Sequence, residues 1–181
     1  MTRIPAVDPA AASAEAKALL DAVQAKLGMT PNFLRVLAHS PAALAAFLGL
    51  HGIAGQGSLD APTRERIALA LAEQNDCQYC VSAHTAIGRG TGLSGEEMAA
   101  NRRGTSQDDR AAAAVAFARA LVEHTGEVTT AEIEAVRRAG YGDAEIVEII
   151  VHVGMNLLTN ILGKASRIEI DFPEVPLLQH A

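Results

Sequence analysis

Cys77 and Cys80 are the only cysteines in the chain, and they stand three residues apart. A fold stapled by disulfides spreads its cysteines over distant segments to close long loops, so an isolated Cys-x-x-Cys pair points to chemistry instead of architecture. That chemistry is thiolate attack, followed by capture of the oxidised sulfur by its neighbour. Asn75-Asp76 interrupts the preceding helical run and Asp76 is a good N-cap, which predicts both cysteines in the first turn of a new helix. Free amides and the positive dipole end favour an anion there, and thiol acidity rises at helix starts and in Cys-x-x-Cys pairs. His84 follows Cys80 by four residues and Cys77 by seven, so the three side chains share one helical face. An imidazole so placed accepts a thiol proton, which matters because free cysteine, of pKa about 8.5, is only a few per cent ionised at neutral pH.

Glu65 is the fourth candidate. It lies on a stripe with Ala61, Ala68, Leu69 and Ala72 and so points inward, where a carboxylate needs a partner. Antiparallel packing of its helix against the cysteine helix would bring it towards His84, to fix the imidazole tautomer and stabilise imidazolium. The scheme requires sulfurs that face each other, reach solvent and are not locked around an ion.

The competing uses of these residues are plain. Cys-x-x-Cys with a histidine offers three soft ligands, and zinc would need a fourth, from Glu65 or another histidine; the spacing favours redox over metal. Haem attachment would need histidine directly after the second cysteine, where Val81 stands. Glu73 reads as helix surface charge. His152, in the apolar stretch 149–158, reads as a hydrogen-bonded core or interface residue, and Asn156 and Asn160 as partners near the site or across subunits. His39, His51, His124 and His180 have no informative spacing and are taken as surface or packing residues.

The elements that must position this set are helices. Apolar residues are 49% of the chain but aromatics only 3%, with alanine and leucine dominant, a balance that favours helix over sheet. Thr30-Pro31, Ser40-Pro41 and Asp60 with Pro62 look like helix starts, and Ser94/Glu97 and Thr129/Glu132 have capping-box spacing. Glycines at 28, 55, 57, 88–92, 104, 126, 140 and 142 mark stops. Nine helices are expected, at about 11–27, 31–39, 41–54, 60–74, 76–89, 94–102, 107–125, 130–139 and 143–166. In the last, Ile146, Ile150, Val153, Leu157 and Ile161 form one stripe and Val147, Val151, Leu158 and Leu162 another; a helix apolar on two faces is central to a core or shared with another subunit. Residues 167–181 read as an extended arm, whose Ile168, Ile170, Phe172 and Val175 need somewhere to dock. No internal repeat or linker divides the 181 residues, so a single domain is expected.

Fifteen basic against twenty-one acidic residues give a net charge of −6, and Arg102-Arg103 is too short to be a patch, so nucleic-acid and anionic-membrane partners are disfavoured. The first residues carry prolines and an aspartate where a signal peptide needs a basic start and an apolar run, and no segment reaches the roughly 20 consecutive apolar residues that span a bilayer. A cytoplasmic protein is the expectation.

The run Arg64 to His84, with Glu65 twelve residues before Cys77-Gln-Tyr-Cys80 and His84 four after the second cysteine, resembles the core motif of the AhpD-like branch of the carboxymuconolactone decarboxylase superfamily. The resemblance covers about residues 41–125, and Thr30-Pro-Asn-Phe33 and the segment from Asn156 to Pro173 resemble longer, peroxidase-related members. It implies an all-α AhpD-like bundle assembled as a trimer or hexamer, with the site near a subunit boundary. It further implies Cys80 as the sulfur that attacks peroxide, Cys77 as the resolving sulfur, and Glu65 and His84 as the proton relay. No tightly bound cofactor is implied; the electrons would come from a dithiol donor, a lipoyl protein or a thioredoxin-like one. The pattern departs at Tyr79, where the best-known enzymes carry histidine, and tyrosine is no base near neutral pH. Two other functions on the same helices are a carboxymuconolactone decarboxylase-like lyase, whose members typically lack the cysteine pair, and a non-catalytic metal-binding or assembly module.

Overall fold

Short oxygen-bearing side chains set where most of the helices begin. The computed structural model describes residues 1–178 and contains, among them, α1 (Ala14–Leu27), α2 (Asn32–Leu37), α3 (Pro41–Ala54), α4 (Ala61–Gln74), α5 (Gln78–Gly90), α6 (Gly95–Arg102), α7 (Asp109–Glu123), α8 (Thr130–Arg138) and α9 (Asp143–Ser166), with no strand. Ser13, Ser40, Asp60, Ser94, Asp108 and Thr129 each accept a hydrogen bond from a first-turn amide of the helix that follows. The all-α expectation holds, and the helix ends fall within three residues of those read from the sequence.

Two helix starts need correction. Thr30 does not cap α2; Pro31 takes that position without a side-chain bond, and the Thr30 hydroxyl donates to Gln24 Oε1 at 3.0 Å. Asp76 does not cap α5 either. It sits at φ 53° because it closes α4: its amide donates to the Glu73 carbonyl, and the Cys77 amide reaches back to the Ala72 carbonyl at 2.9 Å. That is a Schellman-type ending, which requires one left-handed residue, a conformation that aspartate tolerates better than most residues. The cap of α5 passes to Cys77, whose sulfur accepts the Cys80 amide.

α4 is the central helix. Ile67 to Ala72 are all buried, as it packs against α5, α6, α7 and α9. One core cluster gathers α1, α2, α5 and the C-terminal arm around the two cysteines; a second fills the space between α4, α7, α8 and α9. From 167 to 177 the arm runs over α5 without helix or strand: Ile168 and Leu177 are buried, and the Val175 amide donates to Ser82 Oγ at 3.0 Å. The end of the arm and His180 lie outside the described residues.

Glu73, read as surface charge, is instead buried at 7% exposure and anchors the arm. Its carboxylate takes the Arg102 guanidinium at 2.6 Å on one oxygen and the Leu178 amide at 2.6 Å on the other. On α9, Ile146, Ile149 and Val153 face the core, whereas Ile150 and Ile161, of the first apolar stripe, are exposed beside Val147, Val151 and Leu158 of the second. By length and composition α9 could cross a membrane, but 44% of its apolar window is buried inside the protein, so it serves as a core helix with one face to spare. α3 is apolar almost throughout, yet Leu44 is its only fully buried residue.

Glu97 ties α6 to α4 and to the loop before α7. Burial pushes its carboxyl up, but hydrogen bonds from Ser106, Asn101, the Gln107 amide and Arg66 more than offset this and bring its pKa down to about 2. A depressed carboxyl contributes stability that is complete above the unfolded value of about 4.5 and is lost as pH falls through about 2, a contribution on the order of 3 kcal/mol. In denaturant titrations across that window, the stability of Glu97→Gln is expected to fall less steeply with decreasing pH than that of the wild type.

Candidate active site

The turn that joins α4 to α5 is held from outside by α9. Asn75 Nδ2 donates to Asn160 Oδ1 at 2.8 Å, and Lys164 Nζ donates to the Asn75 carbonyl at 2.7 Å. Asn160 therefore belongs beside the site, whereas Asn156 only donates back to the carbonyl of His152 in its own helix. The turn makes α4 and α5 antiparallel neighbours, which carries Glu65, in the first turns of one helix, to His84, in the second half of the other. His84 Nδ1 donates to Glu65 Oε2 at 2.8 Å, with the two side chains 21% and 15% exposed. A carboxylate on Nδ1 fixes the proton there and leaves Nε2 as the basic nitrogen.

Cys77 and Cys80 are bonded to each other across the first turn of α5. The Cys80 amide donates to Cys77 Sγ at 3.3 Å, so the helix-start electrostatics bear first on Cys77. The pair is more enclosed than the sequence reading required, with Cys77 at 1% and Cys80 at 3% exposure. α9 closes over it at Gly163, where an added Cβ would lie 3.1 Å from Cys77 Sγ and 3.7 Å from Cys80 Sγ. What keeps the pair within reach is a cavity of about 260 Å³ that has Cys77 in its wall, along with Asp76, Gln78, Lys164, Arg167 and Ile168. Among the described residues no group of three His, Cys, Asp or Glu side chains is placed to hold a metal ion.

Tyr79, between the cysteines, is structural. Burial pushes its phenol far above the ordinary value, so it stays protonated and donates to Asp171 Oδ1 at 2.9 Å while accepting the Phe33 amide at 3.1 Å. Asp171 Oδ2 in turn accepts the Asn32 amide at 2.7 Å, and the Tyr79 ring packs against Phe33 and Phe172. One side chain thus joins α5 to the start of α2 and to the C-terminal arm.

Sequence reading missed several of these neighbours. His51 has no motif spacing, yet it lies near enough to Glu65 and His84 to feel both charges. Its ring is crowded although the residue keeps an open edge, and this crowding, only partly opposed by Glu65, lowers its pKa. Gly163, Lys164 and Arg167 were invisible because nothing local marks the last turn of α9 as facing the cysteines. His152 is a core residue, as expected: burial and then the Arg64 charge hold it below its usual value, and its ring bonds the Ala54 backbone.

Comparison with known proteins places this geometry among relatives. The pattern of the Carboxymuconolactone decarboxylase family matches residues 41–123. The crystal structure of an uncharacterized peroxidase-related protein from Silicibacter sp. TM1040 is 29% identical, with a TM-score of 0.81 over 93% of this chain and 91% of that one. Another, from Ralstonia eutropha JMP134 and described as an alkylhydroperoxidase AhpD core, is 29% identical, with a TM-score of 0.83 over 94% and 92%. A variant of the debrominase Bmp8 in complex with 2,3,4-tribromopyrrole shares the fold at 19% identity, with a TM-score of 0.79 over 94% and 92%. No curated protein matches the chain.

Replacement of Tyr79 by phenylalanine leaves the Phe33 amide and one Asp171 oxygen short of a partner. The expected cost is about 1–3 kcal/mol, seen in thermal unfolding as a fall of several degrees. Adding Asp171→Ala to that variant is expected to cost less than the sum of the two single changes.

Proposed function

Because the chain is an AhpD-like member of the carboxymuconolactone decarboxylase superfamily, we propose that it is an oxidoreductase that reduces hydroperoxides, or exchanges a disulfide with a thiol partner, through a Cys77/Cys80 cycle. The observation that carries the reading is a Cys77–Cys80 bond one helical turn from a His84 side chain that is itself bonded to Glu65 at 2.8 Å. In the reduced protein His84 takes the Cys80 proton and passes charge to Glu65. The Cys80 thiolate attacks the terminal peroxide oxygen, the O–O bond breaks, and the alcohol leaves with the proton from His84. The resulting sulfenic acid condenses with the Cys77 thiol; an S–S bond forms and water departs. A dithiol donor, lipoyl or thioredoxin-like, returns two electrons and two protons in a reducing cytoplasm. The cycle uses no bound cofactor.

A lyase reading has no comparable support, since lactone decarboxylation has no use for a cysteine pair. Homo-oligomers, trimeric or hexameric, belong to the same proposal. What supports an assembly is that Leu50 and Ile53 of α3 and Val147, Val151 and Ile161 of α9, large apolar side chains on neighbouring helices, are exposed.

Thiol titration before and after hydroperoxide tests the chemistry: both thiols of each chain are expected to disappear and to return on addition of a dithiol. Cys80→Ser is expected to abolish turnover, and Glu65→Gln to slow it about a hundredfold; an unchanged thiol count in the wild type would overturn the reading. Light scattering tests the assembly. The double variant Ile53→Glu/Ile161→Glu is expected at monomer mass, and a wild type already monomeric at micromolar concentration would remove the oligomer.

A further inference from the structure

The reductant of the proposed cycle needs its own route to the disulfide. A thiolate opens a disulfide by attack on one sulfur, so the sulfur that can be reached decides where the reductant docks. Cys77 forms part of a cavity wall and Cys80 does not. We propose that this cavity is the docking site of the reductant, that it takes small thiols bearing a carboxylate, and that Arg167 and Lys164 select them. The proposal rests on the disulfide cycle above and names the substrate class of its second half.

Charge is the first argument. In a chain of net charge −6, this wall holds two cations, Lys164 and Arg167, and one carboxylate, Asp76. Donor capacity is the second. The Arg167 guanidinium makes no hydrogen bond or ion pair with any described residue, its backbone amide alone being bonded, and Lys164 commits one of its three donors to the Asn75 carbonyl. A planar guanidinium whose donors are unspent among the described residues is suited to a carboxylate. Size is the third: about 260 Å³ is below the roughly 300–1,000 Å³ of sites for drug-sized ligands, and Ile168 and Ile170 supply an apolar side for a short carbon skeleton.

The step balances. The thiolate of the docked thiol attacks Cys77 Sγ, a mixed disulfide forms, the Cys77–Cys80 bond breaks, and the electron pair leaves on Cys80. His84, one turn along, supplies the proton that makes Cys80 a thiol. The reductant's second thiol then attacks its own sulfur in the mixed disulfide, closing a disulfide within the reductant and releasing Cys77. The protein gains two electrons and two protons, and the dithiol loses the same.

Dihydrolipoate and dihydrolipoamide test this cleanly, because they are the same dithiol with and without the carboxylate. The readout is the rate at which oxidised full-length protein regains its thiols. The wild type is expected to prefer dihydrolipoate by about fivefold, a bias of roughly 1 kcal/mol, and to lose the bias in high salt. Arg167→Glu is expected to invert the preference and Arg167→Gln to abolish it, each read as the ratio of the two rates, with thermal unfolding reporting that the variant is folded. Equal rates for the two dithiols in the wild type, or a preference that survives Arg167→Glu, would sink the anion selectivity. Oxidised protein that neither dithiol reduces would sink the disulfide cycle itself, and this proposal with it.

Discussion

The organisation of the molecule hangs on a helix-to-helix turn so short that its residues serve both helices. The Cys77 amide completes the hydrogen bonding of α4 by reaching Ala72, and the Cys77 sulfur begins that of α5 by accepting the Cys80 amide. This double duty is possible only because Asp76 takes a left-handed conformation at φ 53°. The consequences are geometric. α4 and α5 become antiparallel partners, Glu65 meets His84, and both sulfurs lie at the first turn of α5.

Around that turn the chain spends its buried charge on anchoring. Glu73 fastens the arm through Arg102 and the Leu178 amide, and Glu97 gathers α4, α6 and the following loop. Each carboxylate is supplied with several donors, the condition under which an ionised group can stay inside a protein. Tyr79 does the same work without charge, between two segments more than 130 residues apart in sequence, as the Asn32 amide and Asp171 meet beside it. A histidine in that place could serve a relay; this tyrosine holds the shell together.

Much of this was legible in the residues, for identifiable reasons. Local rules reported faithfully: Ser40, Asp60, Ser94 and Thr129 cap the helices they were expected to cap. The Glu65–His84 pairing followed from helical phase plus one antiparallel contact. What failed was long-range or depended on competition for one residue. Asp76 is a fair N-cap by type, but ending α4 had the prior claim on it. Glu73 looks like surface charge unless one knows that the arm returns to it from residue 178. For Ile150 and Ile161 spacing left core and subunit contact both open, and over 24 residues a stripe drifts around the helix, so phase alone could not say which edge stays outside. Nothing near Gly163, Lys164 or Arg167 discloses that the last turn of α9 lies against the sulfurs.

The bare position at Gly163 bears on how much room the sulfur pair has. Breaking the bond between two sulfurs obliges them to move apart until they merely touch. Here the peptide chain on either side is pinned, by Asn160 and Lys164 on one flank and by Asp171 on the other, and the Cys77 sulfur already lies so near Gly163 that a Cβ there would stand 3.1 Å from it. A side chain added at 163 would therefore crowd the bonded sulfurs and leave them less room to part. Glycine at 163 is thus a steric condition that α9 sets on the sulfur pair from more than 80 residues further along the chain.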